Sequence, residues 1–247
     1  MKNRIVVITP FYNPGEFLEK CVASVMSQRY DNFKVIFVDD CSTDGSFEKL
    51  PKDDERVTVI KNEIRKTALE NIYTAIMDHC EPDDIVVTLD GDDWFPTKKV
   101  LSYINDFYNQ HDCFVAYGQA SWTDGRRGFA SAYTTEEFTD VRHAPFKVSH
   151  VRSWRAGLFQ KIKEQDPNFS CMKDKDGNFY RLSYDTAIMF PLMELAGYDK
   201  VKFNDEILYI YNRSNPISED RVDQKGQWDV HNEVSNKIPL KKIESYK

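Results

Sequence analysis

Glycine is scarce in this 247-residue chain. There are ten, and they form neither a G-x-G-x-x-G nor a G-x-x-x-x-G-K-[ST] run. A glycine-rich backbone cradle for phosphate is therefore excluded, and any bound diphosphate has to be held by side-chain cations and a metal ion. The five cysteines (Cys21, Cys41, Cys80, Cys113, Cys171) are scattered, odd in number and without C-x-x-C spacing. They build neither a zinc site nor a disulfide framework, and reduced thiols suit a reducing compartment. Long apolar runs are missing as well. Ile5–Ile8 and Val35–Val38 fall far short of the roughly 20 residues a membrane-spanning helix needs. The basic start, Met1 to Arg4, leads into an apolar stretch too short for a signal peptide. The expectation is a cytoplasmic protein with no transmembrane segment, or a domain of a larger one. Positive charge is also in deficit: 33 Lys and Arg face 40 Asp and Glu, a net −7. That argues against nucleic acid as a partner, since a broad nucleic-acid surface is basic.

What the chain does have is alternation. Arg4–Thr9, Phe33–Val38, Val57–Lys61 and Ile85–Leu89 read as strands, the first two as runs buried on both faces of a sheet. Between them, Phe17, Leu18, Cys21, Val22, Val25 and Met26 recur at helical spacing, as do Ala68, Leu69, Ile72, Ala75 and Ile76. Ser46–Leu50 fits a short helix stopped by Pro51. This order predicts an α/β fold with a mostly parallel, Rossmann-like sheet flanked by helices, whose ligands sit at the carboxyl ends of the strands. Beyond it the pattern predicts a helix from about Thr97 to Asn109 and a strand over Cys113–Gly118. Residues 119–155 read as short strands and long loops. Ser183 to Gly197 reads as a helix, capped by Ser183 and kinked or split by Pro191. A strand over Lys202–Tyr211 follows, and then a polar tail.

Three carboxylates, Asp90, Asp92 and Asp93, crowd the end of the fourth strand. Like charges so close favour a divalent cation between them, and oxygen ligands select Mg²⁺ or Mn²⁺, ions that also bind substrate phosphates. A solvated acidic turn is the plain alternative, but the flanking Leu89 and Trp94 argue against it. Asp39 and Asp40 end the second strand, where a carboxylate accepts hydrogen bonds from a ribose or a base, or caps a turn. Thr9 and Pro10 end the first strand. Tyr12 beyond them offers either a ring for a nucleobase or ordinary packing. Arg65 and Lys66 open the next helix at the same edge and are the cations available to a diphosphate.

Taken together, Ile8-Thr9-Pro10-Phe11-Tyr12-Asn13, Val38-Asp39-Asp40-Cys41-Ser42-Thr43-Asp44-Gly45 and Leu89-Asp90-Gly91-Asp92-Asp93-Trp94 resemble glycosyltransferase family 2 in order and spacing. The resemblance is strong over about the first 105 residues. It continues more weakly through Ser183-Tyr184-Asp185, like the family's acidic motif that supplies the base, and through Tyr209-Ile210-Tyr211-Asn212-Arg213. His150-Val151-Arg152-Ser153-Trp154 and Asn215-Pro216 are similar to segments of a subgroup of the family. Two departures stand out: Cys41 occupies a position usually held by Gly, and Leu69-Glu70-Asn71 replaces Ala-Arg-Asn, so that Arg65 or Lys66 has to substitute.

The resemblance implies a GT-A fold over residues 1–215, with a nucleotide-sugar-binding half (1–105), an acceptor-binding half (106–215) and a polar C-terminal tail (216–247). It implies inverting transfer of a sugar from a nucleoside-diphosphate sugar to an acceptor hydroxyl. UDP is the expected nucleotide, with dTDP and GDP open. In this reading Asp92, with Asp90, holds Mn²⁺ or Mg²⁺, and Asp93 supports them. Tyr12 and Asp40 hold the base, Thr9, Pro10 and Gly91 offer backbone contacts, and Arg65 or Lys66 meets the diphosphate. Asp185 is the general base. His150, Arg152 and Trp154 bind diphosphate or acceptor, or are structural, and Trp122 and Tyr133 stack on a sugar or belong to the core. The late His231 lies too far into the tail to be assigned as a metal ligand. The acceptor stays open among glycan, lipid and protein, and a homodimer is allowed. The alternatives are a sugar nucleotidyltransferase, a HAD-like phosphotransferase, or a non-catalytic protein that binds carbohydrate or nucleotide.

Overall fold

The computed structural model describes residues 1–215 and 223–247. Seven strands form one sheet: β1 (Ile5–Phe11), β2 (Phe33–Asp39), β3 (Val57–Lys61), β4 (Ile85–Thr88), β5 (Val115–Trp122), β6 (Ser149–Arg155) and β7 (Val201–Tyr211). Their order across the sheet is β3-β2-β1-β4-β6-β5-β7. All pairings are parallel except those of β6, which runs antiparallel to both β4 and β5. Five longer helices accompany the sheet: α1 (Phe17–Met26), α2 (Ala68–His79), α3 (Val100–His111), α4 (Tyr184–Ala196) and α5 (Gln224–Ser235).

β1 explains the architecture. Every one of its residues is buried, as expected of a central strand covered on both faces. Val6 and Ile8 join one core with Leu69, Ile72 and Ile76 of α2 and the inner residues of α4. Ile5 and Val7, pointing the other way, join a second core with Leu18, Cys21 and Val25 of α1 and Leu101, Ile104 and Tyr108 of α3. Strand alternation thus feeds two helix layers from a single strand.

α4 is apolar almost all round, with Thr186 through Met193 buried, and it is continuous across Pro191 rather than split. Ser183 precedes it in a left-handed conformation (φ 49°) and makes no side-chain cap; its hydroxyl donates to the carbonyl of Gln227 instead. The C-terminal segment, expected as a polar tail, is largely built into the domain. Arg142 pairs with Glu194 of α4 through two hydrogen bonds of 2.5 and 2.9 Å and donates a third, 2.6 Å, to the carbonyl of Val234 on α5. Farther along, the Leu240 and Ile243 amides donate to Glu194 and to the Leu195 carbonyl. The Tyr246 ring meets Phe114 edge-on at 4.9 Å.

Candidate active site

The ends of β1, β2 and β4, the start of β6 and the start of α4 converge on a cavity of about 640 Å³. Because β6 is antiparallel, its first residues lie at the edge where the parallel strands end. Continuing the Val87–Ser153 pairing by three residues on each strand brings His150 level with Asp90.

The chain after β4 turns tightly against β1. A side chain at Gly91 would place its Cβ 2.4 Å from Phe11 Cβ, so only glycine fits, and the Gly91 amide donates to the Pro10 carbonyl. This turn separates the roles of the three carboxylates. Asp93 is buried and accepts hydrogen bonds from the Tyr209 hydroxyl (2.6 Å) and the Asn212 amide (2.7 Å). Burial, with the charges of Asp92 and Asp90 added, pushes its pKa well above the ordinary carboxylate value. It is an anchor between β4 and β7. Asp92 lines the cavity and accepts a hydrogen bond from Asn215 Nδ2 at 2.7 Å. Asp90 accepts one from the Tyr184 hydroxyl at 2.6 Å.

Arg152 links this end of the site to the other. Its guanidinium is buried, and Nη2 donates to His150 Nε2 (2.6 Å) and to the Tyr184 hydroxyl (2.9 Å). Nη2 also lies 3.8 Å from Asp90 Oδ2, while Nη1 lies 3.4 Å from Asp185 Oδ2. Burial opposes its charge, but Tyr184, Asp185 and Asp90 outweigh that and raise its pKa. His150 stacks on Tyr209 at 4.3 Å and is held well below its ordinary pKa by burial and by Arg152. The imidazole is therefore neutral, and because Nε2 accepts, Nδ1 carries the proton. Asp185 opens α4, lines the cavity and accepts the Thr186 amide at 2.9 Å.

At the opposite wall, Asp40 is buried and committed to its own chain. It accepts from Asn62 Nδ2 (3.0 Å) and from the amides of Lys66 (2.8 Å) and Thr67 (2.9 Å). Burial opposes its ionisation. The hydrogen bonds led by the Lys66 amide outweigh this and lower its pKa. The segment so held lays the Arg65 guanidinium over the Tyr12 ring, 3.6 Å from its centre.

Several expected site residues lie elsewhere. Thr9 is fully buried beneath the cavity, and Pro10 and Gly91 line it in its place. The Lys66 side chain turns to Glu70 (3.8 Å), so that of this pair Arg65 lines the cavity. Trp154 is fully buried in the core, opposite Val86 and Val115, and is not among the residues that line the cavity. Four residues beyond His150 on a strand, it is about 13 Å deeper in the sheet. Tyr133 is core as well, its hydroxyl accepting the Lys147 amide. Trp122 does line the cavity. Pro216 lies outside the described residues. Conversely, α5 brings His231 and Trp228 to the cavity, which the polar sequence around them concealed. Their spacing of three on one helix face was the available signal.

Among the described residues, no three His, Cys, Asp or Glu side chains converge as a metal cage. Asp92 and Asp90 nevertheless fit a hard divalent ion that takes its remaining ligands from diphosphate and water, as Mg²⁺ and Mn²⁺ commonly do.

Residues 6–164 match the family profile "Glycosyl transferase family 2". The chain belongs to glycosyltransferase family 2. Over 249 aligned residues it is 26% identical to glycosyltransferase GlyG of Streptococcus pneumoniae, covering 96% of this chain and 80% of that protein. Two solved structures share its fold. TarS 1-349 of S. aureus, in complex with UDP-GlcNAc, superposes with a TM-score of 0.61 at 18% identity, covering 85% of this chain and 58% of that one. The mannosyltransferase PcManGT of Pyrobaculum calidifontis, in complex with GDP-Man and Mn2+, gives 0.66 at 15% identity, covering 97% and 66%. The chain thus spans less than two thirds of either solved protein. The fold is GT-A, and this family 2 chain is a glycosyltransferase. No helix among its described residues is long and apolar enough to cross a membrane.

Proposed function

We propose that the chain is an inverting, divalent-metal-dependent transferase that moves a sugar from a UDP-sugar to an acceptor hydroxyl. The observation that carries this reading is the bridge by Arg152 between Asp90, at the metal-and-diphosphate end, and Asp185, which opens α4 on the same cavity. An inverting displacement needs those two functions on opposite faces of the anomeric carbon.

In this reading the uracil stacks at Tyr12, and Arg65 moves from the ring to the diphosphate. Asp92, supported by Asp90, holds the ion. When bound, that ion supplies Lewis-acid stabilisation of the charge growing on the departing diphosphate. The acceptor hydroxyl enters beside Asp185. As its oxygen bonds to the anomeric carbon, the bond from that carbon to the phosphate oxygen breaks, and the hydroxyl proton passes to Asp185 Oδ2. Arg152 holds Asp185 in place and stays protonated throughout. The UDP complex of a neighbour with the same fold and the five free cysteines support a nucleotide-sugar enzyme working in the cytoplasm.

Calorimetric titration with UDP tests the metal end. The wild type should bind UDP more tightly with Mn²⁺ than with EDTA. Asp92→Asn should bind equally weakly in both while unfolding at the wild-type temperature. A variant that keeps the Mn²⁺ effect removes Asp92 from the metal site.

A further inference from the structure

Trp228 is 63% exposed although it sits on a helix that is firmly held. Arg142 fixes the end of α5 through Val234, the Ser183 hydroxyl fixes its first turn through the Gln227 carbonyl, and Tyr180 donates to Glu233 at 2.8 Å. Water thus meets an indole presented by a rigid element, at the rim of the cavity. The position is specific. The Trp228 ring is parallel to the His231 ring within 12°, with centres 5.9 Å apart. His231 Nδ1 lies 3.4 Å from Thr186 Oγ1, and Thr186 Oγ1 lies 3.5 Å from Asp185 Oδ1. A continuous line of contacts therefore joins the indole to the carboxylate read as the base. Phe129 is also 63% exposed and also lines the cavity.

Large exposed aromatics cost hydration and mark contact surfaces when they gather at one site. The chemistry beside them selects the ligand. A lipid chain wants a continuous apolar wall. Here Trp228 stacks with His231 and shares the cavity with Arg181 and Gln227. A flat apolar ring surrounded by hydrogen-bonding groups matches a pyranose, whose axial C–H face stacks on an indole while its hydroxyls reach polar neighbours.

We propose that the Trp228–His231 pair is the platform for a carbohydrate acceptor, seating a pyranose ring on the indole with one hydroxyl directed to Asp185. This rests on the donor-and-base reading above and names the acceptor class for it.

Saturation-transfer NMR on the full chain with UDP and Mg²⁺ tests it. The probes are methyl glycosides of glucose, galactose, N-acetylglucosamine and N-acetylgalactosamine, with citronellyl phosphate as the lipid probe. In the wild type, pyranose ring protons of at least one glycoside should be saturated. The signal should fall at least tenfold in Trp228→Ala and largely return in Trp228→Phe, while uracil signals persist in both variants. An exposed indole can be removed without unfolding the chain, and a thermal melt verifies this. Pyranose saturation unchanged in Trp228→Ala overturns the proposal. So does a wild type that saturates only citronellyl phosphate, or no probe at all, while its uracil signals are present. Loss of the uracil signals from the wild type itself would instead sink the donor-site reading on which the proposal stands.

Discussion

Arg152 Nη1 stands 3.4 Å from Asp185 Oδ2, and both side chains face the cavity that holds Asp90. The arginine comes from β6 and the aspartate from α4, so two elements far apart in sequence are tied at one point. A buried guanidinium needs partners for its donors, and here Nη1 and Nη2 meet Asp185, His150, Tyr184 and, more distantly, Asp90, while Nε is left without a hydrogen bond. The groups that organise the carboxylates therefore also stabilise the domain.

Arg152→Met should expose this double role. Removing one partner of a buried pair leaves the others uncompensated and costs about 3–5 kcal/mol. For a chain of this size the melting temperature should fall by roughly 2–4 °C for each kcal/mol lost. UDP release should be lost at temperatures where the variant is still folded. Differential scanning calorimetry and a UDP-release assay check both. A variant with wild-type melting would show that the guanidinium has no net structural role.

Asp40 makes a prediction about pH. Its pKa in the folded chain lies below the ordinary carboxylate value. Its contribution to stability is thus fully present above that ordinary value, about 3.9, and is lost as pH falls through the lower folded value. Asp40→Asn should be less stable than the wild type at pH 7, because the Lys66 and Thr67 amides then face a neutral acceptor. The gap should begin to narrow as pH drops below about 4, where the unfolded carboxyl protonates, and close as pH falls through the lower folded value. Urea unfolding at pH 7 and pH 3 measures the gap at both ends. An equal gap at both would contradict the hydrogen-bonding role.

Cys41 has φ of 72°, the left-handed region that glycine adopts without penalty. This accounts for the glycine usual at this position in the family. Cys41→Gly should relieve that strain and stabilise the chain by roughly 1 kcal/mol, since a non-glycine residue held there costs about 1–3 kcal/mol and glycine gives part of that back through the unfolded chain. Denaturant midpoints compared at constant slope decide it. A lower midpoint for the glycine variant would mean that the weak Sγ contact to the Glu63 carbonyl, 3.5 Å, outweighs the strain.

The first half of the chain was legible because its signals are local. β3 and α1 have the bounds their spacing predicts, and β1, β2 and β4 differ by a residue or two at their ends. Asp90, Asp92 and Asp93 share a strand end, where sequence proximity implies spatial proximity. Their division of labour was not legible. It depends on Tyr209 and Asn212 of the β7 region capturing Asp93, a contact across more than a hundred residues. Similarly, His150, Arg152 and Trp154 share a strand face, yet only the first two reach the cavity. Depth along β6 separates them, and that depth follows from its antiparallel pairing with β4. Trp228 and His231 were hidden because α5 is mostly polar and is held through a few specific bonds, such as that from Arg142 to Val234, rather than through a broad apolar stripe.

The most direct test of the whole account is Asp185→Asn. The substitution keeps size and hydrogen bonding, and Asn still accepts the Thr186 amide, but it cannot take a proton. Calorimetry should give wild-type UDP affinity in the presence of Mn²⁺. Transfer from the UDP-sugar that the wild type turns over, to the methyl glycoside that it binds, should fall at least about a hundredfold, the lower range of a general base's contribution. Transfer at the wild-type rate with UDP binding intact would contradict the assignment and move the base to another group.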